Sequence, residues 1–205
     1  MNILNEYFDK IYCINLLRRE DRKKKCIEQF DKIGLDVEFF PAIDKLTIKN
    51  NSSITDGQLA CLSSHYNIIR KAKKNILSNV LIFEDDVVIS DDILEVFENS
   101  KHDIPDDWMM LYFGGNHLNG LTPVKNNIHK MVSSLTTHAY AIKSDIYDEV
   151  LDRVQYADFP IDVYYAHIHR KYPAYLIKNG DNQLIWQETG YSDIDESECN
   201  YTWLK

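Results

Sequence analysis

The sequence predicts an α/β fold with a mainly parallel central sheet flanked by helices, and three observations carry that expectation. Short apolar runs alternate with stretches of helical spacing through the first half of the 205 residues, the pattern of strand–helix–strand units. One run, Val80 to Phe83, is apolar at every position, as a strand covered by helices on both faces has to be. The second half mixes strands and helices less regularly, which allows some strands to run against the rest. A chain of this length fits one core, so residues 1–205 are read as a single domain.

Ile11 to Leu16 (IYCINL) is the first strand, and Cys26, Ile27, Phe30 and Ile33 mark the inner face of a helix starting near Asp21 and closed by Gly34. Val37 to Ile43 is a second strand, and Pro41 places it at an edge or a strand end. A polar loop, Asp44 to Thr55, leads to Asp56, the expected N-cap of a long helix with Leu59, Leu62, Ile68, Ile69, Ala72 and Ile76 inward. After the Val80 strand, Asp91 and Asp92 open a helix ending near Asn99, and Trp108 to Phe113 is a strand stopped by Gly114-Gly115. Thr136 to Ile142 reads as a strand, Ser144 to Val154 and Ile161 to Arg170 as helices, and Ala174 to Ile177 as the final strand. Asp181 to Lys205 shows no period.

No segment approaches the roughly 20 apolar residues of a membrane helix, and the first ten residues lack the basic-then-apolar order of a secretory leader. The expected compartment is therefore the cytoplasm. Asn50, Asn51 and Asn200 each begin an N-x-S/T triplet, which matters only in a secreted chain. Cys13, Cys26, Cys61 and Cys199 show neither C-x-x-C nor zinc-type spacing and are expected to be packing thiols. A net charge of -9 argues against a nucleic-acid partner. The exception is a cationic run, Arg18, Arg19 and Arg22 to Lys25, directly after the first strand. It suits a phosphate-bearing small molecule, or it is a solvated helix face.

Ligands of open α/β sheets bind beyond the carboxyl ends of the strands, and two stretches sit there. In LIFEDDVVI a buried-type strand runs into Glu84-Asp85-Asp86 and then resumes. Three adjacent acids between apolar runs suit a hard divalent cation, magnesium or manganese, shared with phosphate oxygens; a turn or a helix cap is the alternative. In NLLRREDR, from Asn15 through Leu16 to Arg22, arginines are placed to grip a diphosphate.

NLLRREDR, then GQLACLSSH at Gly57 to His65, then LIFEDDVVI, and after them LYFGG at Leu111 to Gly115, THAYAIKS at Thr137 to Ser144, PIDVYY at Pro160 to Tyr165 and ETGYSDIDES at Glu188 to Ser197, resemble glycosyltransferase family 25. That family includes lipooligosaccharide galactosyltransferases and procollagen galactosyltransferases. The resemblance implies a GT-A type fold, a UDP-sugar donor, a manganese-like cation and inverting transfer to a glycan or collagen-like acceptor. It implies a metal pair, Glu84 and Asp86, with Asp85 turned away toward the donor sugar or a structural partner, because side chains two apart on a strand share a face. Asp162 becomes the candidate base, with an N-cap after Pro160 as the competing role. Arg18, Arg19 and Arg22 would share the diphosphate charge; Arg19 and Arg22, three apart, can meet on one helix face, whereas the alternative for Arg18 is to serve only the loop.

The remaining donor-site candidates each have a plainer alternative. Asn15 either meets the nucleotide base or ends the strand. Gly57, Ser64 and His65 lie on the long helix, whose first turn favours anions, yet a histidine within a helix is commonly structural. Gly114 gives close backbone access or only a turn. Gln187, Ser192 and Asp193 reach donor or metal, or belong to a surface tail. The expected division is a nucleotide-sugar and metal half, 1–115, and an acceptor half, 116–205. Two other classes fit parts of the pattern: a non-catalytic nucleotide- or glycan-binding module, and a phosphoryl-accepting signalling domain, whose acid pair would lie nearer the start of the chain.

Overall fold

The computed structural model describes residues 2–200; Tyr201 and Thr202 of the third N-x-T triplet lie outside them. The chain opens with α1 (Ile3–Tyr7), β1 (Lys10–Asn15), α2 (Glu20–Lys32) and β2 (Glu38–Pro41). The long helix α3 (Asp56–Lys74) leads into β3 (Asn79–Glu84), β4 (Val87–Ile89) and α4 (Ile93–Ser100). Next come β5 (Met110–Tyr112), β6 (His117–Lys125), β7 (Ile128–Ser134), β8 (Ala139–Lys143), α5 (Tyr147–Val154) and α6 (Ile161–His169). The last strands are β9 (Ala174–Asn179), β10 (Asn182–Gln183), β11 (Ile185–Gln187), β12 (Gly190–Ser192) and β13 (Ser197–Cys199).

Among the described residues the main sheet has nine strands in the order β2-β1-β3-β8-β5-β9-β7-β6, with β10 paired to β9. β2, β1, β3, β5, β9 and β6 run one way; β8 and β7 run the other. The sheet is therefore mixed but mainly parallel, and Pro41 does sit on an edge strand. Alternation along β1 and β3 sorts the core into two layers. Ile11, Cys13, Leu81 and Phe83 face α1, α2 and α4, packing on Phe8, Phe30 and Phe97. Tyr12, Ile14, Val80 and Ile82 face α3, α5 and α6, packing on Ile68, Ile69, Val150 and Tyr165. Full burial of each large apolar side chain contributes about 1.5–3 kcal/mol, so both faces of β3 are committed to the core.

Several boundaries differ from the expected ones. Thr55, not Asp56, caps α3, in a capping box with Gln58 that satisfies two end groups at once. Ile76 falls beyond the helix at φ 56° and is 90% exposed, so it belongs to the stop signal and not to the apolar face. The Asp44 to Thr55 loop contains a 3-10 turn, Lys45–Thr47, capped by Asp44. Ala174–Asn179 is not the last strand: β11 pairs antiparallel with β4, and β12 with β13. The β6–β7 hairpin has no counterpart among the expected elements; β6 is largely exposed and carries two register shifts, so no alternation marks it.

Candidate functional site

β1 and β3 are parallel neighbours, so Asn15 and Glu84 end at the same rim of the sheet. β3 stops at Glu84, and Asp85-Asp86 form the turn into β4. Strand alternation therefore does not relate Glu84 to Asp86, contrary to expectation; the turn does, and all three acids border one cavity. Asp85 is held by the protein itself, accepting from Asn15 Nδ2 at 2.7 Å and from Arg22 Nη1 at 2.8 Å. Asn15 also donates to the Arg19 carbonyl at 3.1 Å; it ends β1, ties it to the acidic turn and does not line the cavity.

Asp86 is the unsatisfied member. Its Oδ2 receives a 3.3 Å contact from Gln187 Nε2, while its Oδ1 is buried with no partner among the described residues. Burial, reinforced by the charge of Glu84, pushes its carboxyl up to about 7. Burial also acts on Glu84, but His65 and Thr137 more than offset it and hold that carboxyl below its ordinary value. Thr137 Oγ1 donates to Glu84 Oε1 at 2.6 Å, and His65 Nε2 lies 3.3 Å from the same oxygen. Two neighbouring acids with values driven apart hold one proton between them near neutrality. An orphaned carboxylate oxygen beside a second carboxylate is a donor set that fits a hard divalent cation.

The arginines divide differently from expectation. Arg18 and Arg22 line the cavity and Arg19 does not; Arg19 precedes α2 and is bound to Asp21 and Asp193. Arg18 spans Asp44 and Asp193, each at 2.8 Å. Hydrogen bonds to these carboxylates raise both guanidinium values. Asp193 thus lies against the arginines, and the segment carrying it crosses the start of α3. A Cβ at Gly57 would come within 2.8 Å of Ile194 Cα, so the glycine there lets that strap approach, an arrangement the sequence did not indicate.

Leu16, Gly57, Ser64, His65, Gln187 and Ser192 all border this cavity. Ser64 is occupied with backbone, donating to Ala60 O at 2.8 Å and accepting from Ile43 N–H at 2.9 Å. His65 is fully buried, with Nδ1 2.9 Å from the Tyr140 hydroxyl, which meets Tyr165 at 2.8 Å. Gly114 lines neither cavity: a Cβ there would collide with the Ile185 carbonyl, so it serves packing against β11.

Asp162 borders a second cavity with Thr137, Pro160 and Asn116. Pro160, not Asp162, is the cap of α6; Asp162 Oδ1 accepts from its neighbour Val163 N–H at 2.8 Å. Burial raises its carboxyl. Cys61, Glu84, Gln187, Ile194 and Asp195 border both cavities, and of these Cys61, Ile194 and Asp195 were not among the expected site residues. Cys61 lies four before His65 on α3, and that i, i+4 spacing was the available signal.

Among known proteins, a family model described as glycosyltransferase family 25 (LPS biosynthesis protein) matches residues 8–165. A glycosyltransferase 25 family member of Aedes aegypti is 32% identical over 133 residues, covering 53% of this chain and 21% of that protein. Procollagen galactosyltransferase 1 of Danio rerio is 26% identical over 206 residues, covering 80% and 34%. The inactive glycosyltransferase 25 family member 3 of Mus musculus is 23% identical, covering 55% and 23%. The chain thus spans about a fifth to a third of the length of these relatives. The crystal structure of a glycosyltransferase involved in glycosylation of the major capsid of PBCV-1 superposes with TM-score 0.55 at 11% identity, covering 91% of this chain and 95% of that one. The shared architecture is the GT-A type α/β fold, and the ordered motifs, the sheet and the family match together place this chain in glycosyltransferase family 25.

Proposed function

We propose that the chain is an inverting glycosyltransferase that moves a hexose, galactose or glucose, from a UDP-sugar to an acceptor hydroxyl on a glycan or a collagen-like peptide. The observation that carries this reading is the common wall. One cavity holds the arginines and the acidic turn, the other holds Asp162, and Glu84 and Gln187 border both. A transferase needs two substrates to meet across such a boundary. Residues 1–115 supply most of the donor side and 116–205 the acceptor side, with 187–195 crossing back over the donor.

Glu84 and Asp86 would hold a manganese or magnesium ion, which when bound supplies charge neutralisation for the leaving UDP. Asp162 takes the proton from the acceptor hydroxyl; its burial-raised value strengthens it as a base. As the new bond forms at the anomeric carbon, the bond to the diphosphate oxygen breaks and its electron pair leaves with UDP. Arg18 and Arg22 then face the charge that develops, once phosphate has replaced Asp193 and shared Asp85.

The test is UDP release from UDP-glucose, UDP-galactose and their N-acetyl forms with manganese, with and without collagen-like peptide or lactose-type acceptors. Asp162→Asn should lower turnover about 100- to 10,000-fold with UDP affinity nearly unchanged; equal loss of both would make Asp162 structural. The second reading, a non-catalytic nucleotide- or glycan-binding module, draws on the arginines' existing pairing with Asp193. UDP binding by calorimetry without transfer to any acceptor would favour it.

A further inference from the structure

We propose that Cys61, His65 and Glu84 form a binding site for a thiophilic divalent cation, zinc in the first instance, beside the carboxylate pair assigned to the hard cation. Their sulfur, nitrogen and oxygen ligand atoms lie within 4.8 Å of one another. Cys61 and His65 are four apart on α3 and so project from one helix face, while Glu84 comes from the end of β3. The 3.3 Å between His65 Nε2 and Glu84 Oε1 matches an edge of about 3.4 Å in a tetrahedron with metal–nitrogen and metal–oxygen bonds of about 2.0–2.2 Å.

His65 and Glu84 are each oriented by a hydroxyl partner. His65 is fully buried and its Nε2 has no hydrogen-bond partner among the described residues. Its Nδ1 sits 2.9 Å from the Tyr140 hydroxyl, which can accept a proton held on Nδ1, so that a metal takes the place of any proton Nε2 directs at Glu84 Oε1 and Nε2 ligates beside Cys61 and Glu84. The ring-nitrogen contact to Tyr140 and the Thr137 bond to Glu84 are the outer-shell partners that metal-binding histidines and carboxylates commonly have. Mixed thiolate, imidazole and carboxylate ligation suits zinc and not magnesium or manganese. Three protein ligands beside a cavity leave the fourth position open to water. Binding replaces the thiol proton with the metal and releases that proton to solvent. Because Glu84 belongs to both sites, zinc and the hard cation compete for it.

Cobalt and zinc titration of the purified chain tests this without reference to catalysis. Wild type is expected to bind one cobalt ion with an intense thiolate-to-cobalt absorption band, which zinc abolishes on displacement. Cys61→Ser should lose the band and bind zinc at least about tenfold more weakly against a chromophoric chelator. Cys61→Ala repeats the measurement should serine disturb the helix. Cys199→Ser and Asp86→Asn should keep the band, the latter even if manganese-dependent donor turnover is lost, which separates this site from the transferase reading. Survival of the band in Cys61→Ser, its loss in Cys199→Ser or Asp86→Asn, or equal zinc affinity in wild type and Cys61→Ser would overturn the proposal.

Discussion

Replacing Asp86 with asparagine should stabilise the metal-free protein while destroying its affinity for the hard cation. The carboxyl sits in a buried place beside Glu84, with one oxygen unpartnered, and its value rises from 3.8 to about 7. A folded-state value above the unfolded one means that its stability contribution is complete below about pH 4 and is lost as pH rises through 7. A shift of about three units corresponds to a ceiling of about 4 kcal/mol at alkaline pH. Relaxation and water entry bring the expected penalty to about 1–3 kcal/mol. For a chain of this size that is about 3–10 °C in melting temperature. With a chelator present, Asp86→Asn should therefore melt above wild type at pH 8, and the gap should narrow toward pH 5. Manganese should reverse the order, since saturation at about 100 times its dissociation constant stabilises only the binder, by about 2.7 kcal/mol. A variant that melts below wild type at pH 8, or that gains as much from manganese, would refute the reasoning.

Three further outcomes follow from other contacts. Asp193→Asn removes the carboxylate shared by Arg18 and Arg19; UDP should bind about 3- to 10-fold more tightly by calorimetry, in line with loss of a competing ion pair of about 1 kcal/mol. Tyr140→Phe removes the hydroxyl between His65 and Tyr165, and thermal melts should show a loss of about 1–3 kcal/mol as two buried polar groups lose a partner. Turnover should fall on the acid side with a midpoint above the ordinary carboxylate value, because burial raises Asp162; the residual rate of Asp162→Asn should lack that limb.

The sheet rim was legible in the sequence because the apolar run of β3 ends in charge at the point where buried backbone meets solvent. The same held for α3 and α6, whose apolar spacing survives in the core. What failed was local. Asp56 has the chemistry of a cap, but the Thr55–Gln58 pair satisfies more end groups. Helical spacing pairs Arg19 with Arg22, yet the position of Arg19 at the threshold of α2 turns it to Asp21 and Asp193, and Arg18 lines the cavity in its place. β11, β12 and β13 have three residues each, too few to show a period; β11 exists because β4, far away in sequence, holds it, and β12 and β13 hold each other. The contact between Gly57 and Ile194 and the wall joining the cavities likewise arise from tertiary packing across more than a hundred residues.

The pairing of β4 with β11 sets a schedule for a chain emerging from the ribosome. Val87 is synthesised a hundred residues before its partner Gln187, an interval of roughly 5–20 s at ordinary elongation rates of about 5–20 residues per second. During that interval the acidic turn has its entry strand in the sheet but no neighbour for its exit strand, and Asp86 has not met Gln187. A nascent chain can therefore complete much of its sheet while the rim bearing Asp86 is still open, and that rim closes only once residues 185–187 have been made.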